Sequence, residues 1–568
     1  DFIDKRTPYL KAAYQARGWY PTLEPPVSDT ASGEGSLGQV VTFTAVDGAE
    51  IYVTTDGTDP AESGTLSASA TVTALPCTIK ARAKLNDEWS PMQEVELVAP
   101  KLTGDGLIIT IAGNYTSTQE LAPTGDVCRV ILEDAEVPGG LILKPGVAYT
   151  FEPAAGTENA IGPIVGGDTS TFVLNGEGTL SMTGADTLLT VNDLIVSNGT
   201  FAIKSTGVSV KKTPIVKVMG NLFQTGGKID IDVSVDSAVQ VYGIMLASKK
   251  MEAEFSGGEL VAKVGGQNKS AAIVTDKGSS DIVFKKECKI TAELSGVDSR
   301  LAFSAGEIKF AKTLVGPVVV TMPQDLTGVS EAHVFKAEKT IEINGGTFDI
   351  NVPAPGSEIF AASRPDEAAD EDPGIIVIKG GTFELVADDD CFNATDFIDV
   401  RDGLFYAVSL SDDVFDSNGG MDISGGTILA YTAGAGHEAF DVEPEATPMT
   451  YPSTNEHVLA ISGGTIFATG GMNSAWPTTI TTVEGVNIFS FANADVSAYS
   501  GKYLTLNSSP KVTAKLPAFP ASTGSVLATC PGFDGANVSV GDTAPTSGSQ
   551  NFHDLYIHGS SGFIIIVQ

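Results

Sequence analysis

Along most of the chain, apolar residues arrive in runs of four to seven that alternate with polar ones and are bounded by Gly, Asn, Asp or Ser. This is the punctuation of an all-β protein, and long helical periodicity is absent. The exception is a helical stretch around Tyr9 to Trp19, ended by Pro21, Pro25 and Pro26, so residues 1–25 read as an N-terminal tether. From 26 to 100, the runs QVVTFTAV, EIYVTT, SASATVTAL, CTIKARAKL and EVELVA are separated by turn signals such as Asp47-Gly48 and Asp56-Gly57. That spacing predicts a small immunoglobulin-like β-sandwich.

Beyond residue 100 the chain repeats itself, and a strand of the form x-G-G-x-[FIL]-x-[AIV] recurs. Marked at its second glycine, it falls at Gly178, Gly199, Gly227, Gly258, Gly306, Gly346, Gly381, Gly403, Gly426 and Gly464, with a degenerate copy at Cys288. The steps range from 18 to 40 residues. A fixed local motif with a variable step suits a right-handed parallel β-helix over 101–510, whose strands stack in register while the turns lengthen freely. Glycine then marks the corner, and the apolar residue after it points inward.

A second ladder runs through the later coils. Phe335, Phe360, Phe392, Phe415 and Phe440 share one frame, with steps of 25, 32, 23 and 25, and should form an internal aromatic stack while their neighbours face out. Residues 363–373 are expected to leave the coil as a long acidic loop. Residues 511–568 are expected to supply cap strands, the last of them the apolar run 563–567 covering the open edge.

Charge narrows the partners. Seventy Asp and Glu against 34 Lys and Arg give a formal net charge of −36, which repels nucleic acid and anionic membrane surfaces and favours divalent cations. An alternative is that the acid only keeps a long, edge-rich protein soluble. The five cysteines have no metal-site or disulfide spacing, and no apolar stretch is long enough to span a membrane. Export is expected from the architecture, with any signal or lipid anchor upstream of Asp1 and the protein acting as a monomer.

The candidate chemistry is the outward face of the phenylalanine ladder. Asp388, Asp389, Asp390 and Asn393 stand on one coil, Asp412, Asp413 and Asp416 on the next, and His437, Glu438 and Asp441 on a third. Stacking would bring equivalent carboxylates to about 5 Å, where they repel unless neutralised. Calcium, with six to eight oxygen ligands, does this, and the bland alternative is solvated turn aspartates. Catalysis has less to stand on, because the nearest bases by this reading, Lys379 and Arg401, are corner residues. Tyr431 and Trp476 are candidate sugar-stacking rings.

Two resemblances bear on these readings. Ile51 to Pro60 followed by Thr78 to Ala83 is similar to the chitobiase C-terminal-like module, which implies an accessory domain in which Asp56 and Asp59 are turn formers. The run Gly156-Thr157-Glu158-Asn159, then Leu174 to Leu180, then repeated S-G-G-T and D-D-x-F-D, resembles a β-helical carbohydrate-binding domain family of polysaccharide-degrading anaerobic bacteria. That resemblance covers roughly 105–510. It implies an extracellular or lipid-anchored pectate-lyase-like solenoid, calcium on the acidic coils and binding to acidic plant polysaccharide. The paired-aspartate motif falls on Asp389-Asp390 and Asp412-Asp413, while the third copy has His437 in place of the first aspartate.

Three functions follow as expectations: a surface or secreted carbohydrate-binding or adhesion protein using calcium to bridge a uronic-acid polymer, a β-helix polysaccharide lyase or glycoside hydrolase, or a structural spacer. The first is favoured because the acidic stack has no strong base beside it.

Overall fold

The computed structural model describes residues 2–552 apart from 36–37, 74–76, 99–102, 105–106, 208–212, 235–239, 267–268, 277–278, 323–331, 364–372, 443–457, 471–478, 510, 519–522, 536–537 and 544–548. The protein is all-β with mostly parallel sheets. It divides into two compact units, Asp1–Lys144 with Thr157–Ile164 and Pro145–Gly156 with Val165–Gln568.

The first unit opens with the helix Phe2–Gln15. Two sheets follow, one of Val27–Ser28, Val40–Thr44 and Ser69–Thr71, the other built on Gln93–Val98, Cys77–Leu85 and Glu50–Thr54. Their strands alternate buried and exposed positions. Val41, Phe43 and Ala70 of one sheet pack in a shared core with Val53, Ile79, Ala81, Val95 and Leu97 of the other. Asp56 accepts from the Thr58 N–H at 3.0 Å, and Asp59 caps the short helix Pro60–Ser63 through the Ala61 N–H at 2.9 Å. Both are therefore turn formers, and Arg82 further pins Asp59 at 3.0 Å. The unit also holds the parallel pair Ile108–Asn114 against Val127–Val137.

In the second unit three strands make each coil. Glu252–Phe255, Glu259–Val264 and Ala271–Thr275 lie parallel and in register with Asp281–Phe284, Lys289–Leu294 and Arg300–Ser304, so Ala253 pairs with Ile282, Leu260 with Ile290 and Ile273 with Ala302. The same pairing carries on coil by coil to Phe440–Val442. Parallel strands buried on the inner face read as apolar at every second position, and those positions are fully buried here, as with Ile229, Ile231, Leu260, Ile290 and Val318.

The predicted aromatic column is present in register: Phe335 pairs with Phe360, Phe360 with Phe392, Phe392 with Phe415 and Phe415 with Phe440. Their rings stack at 5.4, 5.1, 4.7 and 5.2 Å, and every interplanar angle is 24° or less. A second column, Phe348, Phe383 and Phe405, stacks at 5.0 and 4.5 Å and meets the first edge to face, as between Phe383 and Phe392 at 75°. Each such pair contributes about 0.5–1.5 kcal/mol beyond the burial of its surface.

One glycine marker needs correction. Lys289 continues through Val318's neighbour Pro317 to Thr347, so the corner after Cys288 is Gly316, not Gly306. Gly306 precedes the strand Glu307–Phe310, which stacks on Asp281–Phe284 on a different side of the coil. The steps of 18 and 40 thereby become 28 and 30. The pattern missed Gly316 because Val315 stands at the first glycine position and Val318 where the motif has Phe, Ile or Leu. At one corner glycine is required: Gly258 has φ +77° and a Cβ there would stand 2.2 Å from the Gly227 carbonyl oxygen.

The parallel stack ends where Thr523–Thr529 pairs antiparallel with Thr465–Gly470. A four-stranded sheet that includes Tyr503–Leu506 and Lys511–Lys515 adds Leu504, Leu506, Val512 and Ala514 to a core containing Tyr406, Leu429 and Phe467. The expected final strand at 563–567 lies outside the described residues. No helix among them is long and apolar enough to cross a membrane.

Phe392 is wholly buried and stacks on both sides. Replacing it by alanine is expected to lower unfolding stability by about 3–5 kcal/mol, measured by chemical denaturation. A value near zero would show that the column does not hold the coils together.

Candidate functional site

The strands Glu358–Ala362, Phe392–Ala394, Phe415–Ser417 and Phe440–Val442 position the site, because their phenylalanines point in and the flanking residues must then point out. One outward row is Asn393, Asp416 and Asp441, in direct register. Three residues earlier on each coil stand Asp390, Asp413 and Glu438. Here each carboxylate caps the next coil: Asp390 Oδ1 accepts from the Asp413 N–H at 3.1 Å, and Asp413 Oδ1 from the Glu438 N–H at 2.5 Å. Those bonds explain why two aspartates are only 5 % and 6 % exposed. The other oxygen of Asp390 accepts from Asn393 Nδ2 at 2.9 Å.

The carboxylates converge. One oxygen each from Asp389, Asp390 and Asp412 lies within 4.8 Å of the others, and so do one ligand atom each from Asp412, Asp413 and His437. His437 Nδ1 is 2.6 Å from Asp412 Oδ1. A cavity of about 200 Å³ opens here, lined by Asp412, Asp413, Asp416, His437, Glu438 and Asp441. Among the described residues no Lys or Arg pairs with Asp389, Asp390, Asp412 or Asp413.

The consequence is electrostatic. Burial pushes the Asp389 carboxyl up to about 8, helped by the hydrogen bond and charge of Asp412. Burial likewise raises Asp413 to about 9 with the charges of Asp441, Asp412 and Asp416 added, although the Glu438 N–H pulls the other way. Asp390 is raised well above the usual carboxylate range by burial and then by Asp416, Glu358 and Asp389. Without a countercharge Asp389, Asp390 and Asp413 therefore keep protons that ordinary aspartates release near 4.

The donor sets differ. Asp389, Asp390 and Asp412 offer oxygen alone, the preference of a hard cation such as calcium. The Asp412, Asp413 and His437 group includes an imidazole, which suits a softer ion or serves as a charge partner to Asp412.

Other expected residues fall elsewhere. Asp388, beside the cluster, is a turn residue that accepts from the Gly356 N–H at 2.9 Å and Ser411 Oγ at 3.0 Å. Tyr431 does not present a ring to solvent: it is 1 % exposed and packs with Val386 and Val408, so it corrects the expectation of a sugar-stacking surface there. It stands in register with Val408, and the chain at Ala518 packs over it, its carbonyl oxygen 3.5 Å from the Tyr431 hydroxyl. Trp476 lies outside the described residues. Lys379 pairs with Glu342, and Arg401 pairs with Asp399 at 2.6 Å, so both bases are engaged at the corner.

The sequence frame also passed over a set of bases. Lys336 lies in the row that continues through Ala361 to Asn393, and Arg300 and His333 lie in the row that leads to Glu358. Arg300 was hidden because Ala302 occupies the phenylalanine position of its coil.

Residues 316–501 match the model of a family described as carbohydrate-binding domain-containing protein. The matched stretch contains the whole acidic cluster and the column of five phenylalanines. No curated protein and no solved structure matches the chain.

Because Asp389 and Asp413 bind protons up to about 8 and about 9 when folded but only to about 4 when unfolded, the folded state carries more protons between those limits. Stability of the cation-free protein is therefore expected to fall as pH rises from about 4 to about 9. Thermal unfolding in chelator should show this slope, and Asp413→Asn should flatten it. A melting temperature that rises with pH across the window would contradict the cluster's electrostatics.

Proposed function

We propose that this chain is a secreted or surface carbohydrate-binding protein whose acidic face holds calcium, and that the calcium bridges to carboxylates of a uronic-acid polysaccharide. The observation that carries the reading is the all-oxygen group Asp389, Asp390 and Asp412, with which no Lys or Arg among the described residues pairs. A divalent ion would displace the retained protons and relieve the repulsion, with Asp413, Asp416 and Asn393 near enough in the stack to add oxygen or hold water. The family match to residues 316–501 supports carbohydrate as the ligand. An anionic sugar needs a cation to approach a surface of this sign, whereas a neutral one does not.

The coils are proposed to wind right-handed, the sense that parallel strand connections take almost without exception. Winding places the acidic rows on one face, open to a ligand that runs along the stack.

Isothermal titration tests the reading. Calcium alone is expected to bind with proton release, so that its heat changes with the ionisation enthalpy of the buffer, and polygalacturonate is expected to bind only with calcium present. Asp390→Asn should weaken calcium by about tenfold or more, the effect of losing one ligand carboxylate. Polygalacturonate binding that is unchanged by chelator would sink the bridging role, and new unsaturated ends absorbing in the ultraviolet would assign a lyase instead.

A further inference from the structure

On the coils that precede the acidic cluster, the same sheet face turns basic. Arg300 is 7 % exposed and His333 5 % exposed, and they occupy successive positions of one row that ends at Glu358. Arg300 holds Asp298 Oδ1 at 2.7 Å, and His333 lies between Asp298 Oδ1 at 3.4 Å and Glu358 Oε2 at 3.1 Å. Lys336 Nζ sits 3.0 Å from His333 Nε2, and the exposed Lys269 reaches Asp298 Oδ2 at 3.8 Å. Glu358 then touches Asn393, which bonds Asp390, so the basic group borders directly on the acidic one.

Among the described residues the charges of this group do not cancel: Lys269, Arg300 and Lys336 face two carboxylates, Asp298 and Glu358. Burial opposes protonation of His333, yet Glu358 and Asp298 outweigh it and raise its pKa, so the positive charge grows toward acid pH. Burial and the neighbouring Arg300 depress Lys336. Such a concentration of cations in a half-buried network is costly, and it is out of keeping with a chain of net charge −36. Of the three bases Arg300 is committed to Asp298, whereas Lys269 is exposed and Lys336 partly so.

We propose that Lys336 and Lys269 form an anion subsite that takes a second carboxylate of the same acidic sugar chain. The identity of the anion rests on the uronate reading above. From the Asp413 position to the His333 position is three strand spacings, about 14 Å, so the sugar chain runs along the stack across the strands. Its one end is held through a cation and the other by ammonium groups directly. A disaccharide is too short to engage both.

Two measurements on the full chain separate this proposal from the calcium reading. In calcium, titration with galacturonate oligosaccharides is expected to show a hexasaccharide binding about tenfold more tightly than a disaccharide, a gain that Lys336→Gln loses while the calcium isotherm is unchanged. Lys269→Gln, at an exposed position that does not endanger folding, should lose part of the same gain. In chelator, monomeric galacturonate but not galactose should slow acetylation of Lys336, read by mass spectrometry. If both variants keep the full hexasaccharide gain, or galacturonate leaves the labelling of Lys336 unaltered, the subsite is overturned. Protection of Lys336 together with calcium-independent titrations would support the subsite and reject the bridging.

Discussion

In-register parallel stacking is the constraint on which everything else in this molecule rests. Each coil lays its residues about 4.8 Å above their equivalents, so any side chain chosen at one position meets the same position of the next coil. Inside, that repetition is favourable: phenylalanine on phenylalanine gives columns with ring separations near 5 Å and nearly parallel planes. Outside, the same repetition sets carboxylate on carboxylate, and burial deepens the conflict at Asp390 and Asp413.

The conflict is tolerated because those two aspartates also serve the backbone. Each accepts the N–H of the following coil where the turn leaves that donor without a ladder partner, so a buried amide is satisfied at the expense of a crowded charge. Local rule-breaking of this kind is what functional surfaces carry. Along one face the rows pass from Lys336, Arg300 and His333 to Glu358 and Asn393, and then to the aspartates. Basic and acidic groups therefore share one continuous strip, and a ligand lying on it would meet opposite fields at its two ends.

Stacking also decides how the fold is closed. A parallel edge exposes unpaired donors and acceptors, and the last coil gives this edge to the antiparallel strand Thr523–Thr529. The C-terminal sheet then covers the outward rings of Tyr406 and Phe467, which as isolated aromatic residues would look like surface ligands for sugar.

The phenylalanine frame, the glycine corners and the paired aspartates were legible from the order of residues, because a repeated side chain in a repeated local context needs no knowledge of the turns between. Legibility failed where the repeat was broken. Gly316 follows Val315 in place of the first glycine and was passed over for Gly306, and the coil with Ala302 at the phenylalanine position concealed Arg300 beside His333. Tyr431 shows a different limit: alternation along a strand says which side a ring is on, but only the chain packed over that side decides whether solvent reaches it. Sequence alone thus determined what each coil carries, since that is set by local periodicity. Tertiary structure decided which coils become neighbours and which faces stay open, because turn lengths and long-range register fix those, and neither is written in any single segment.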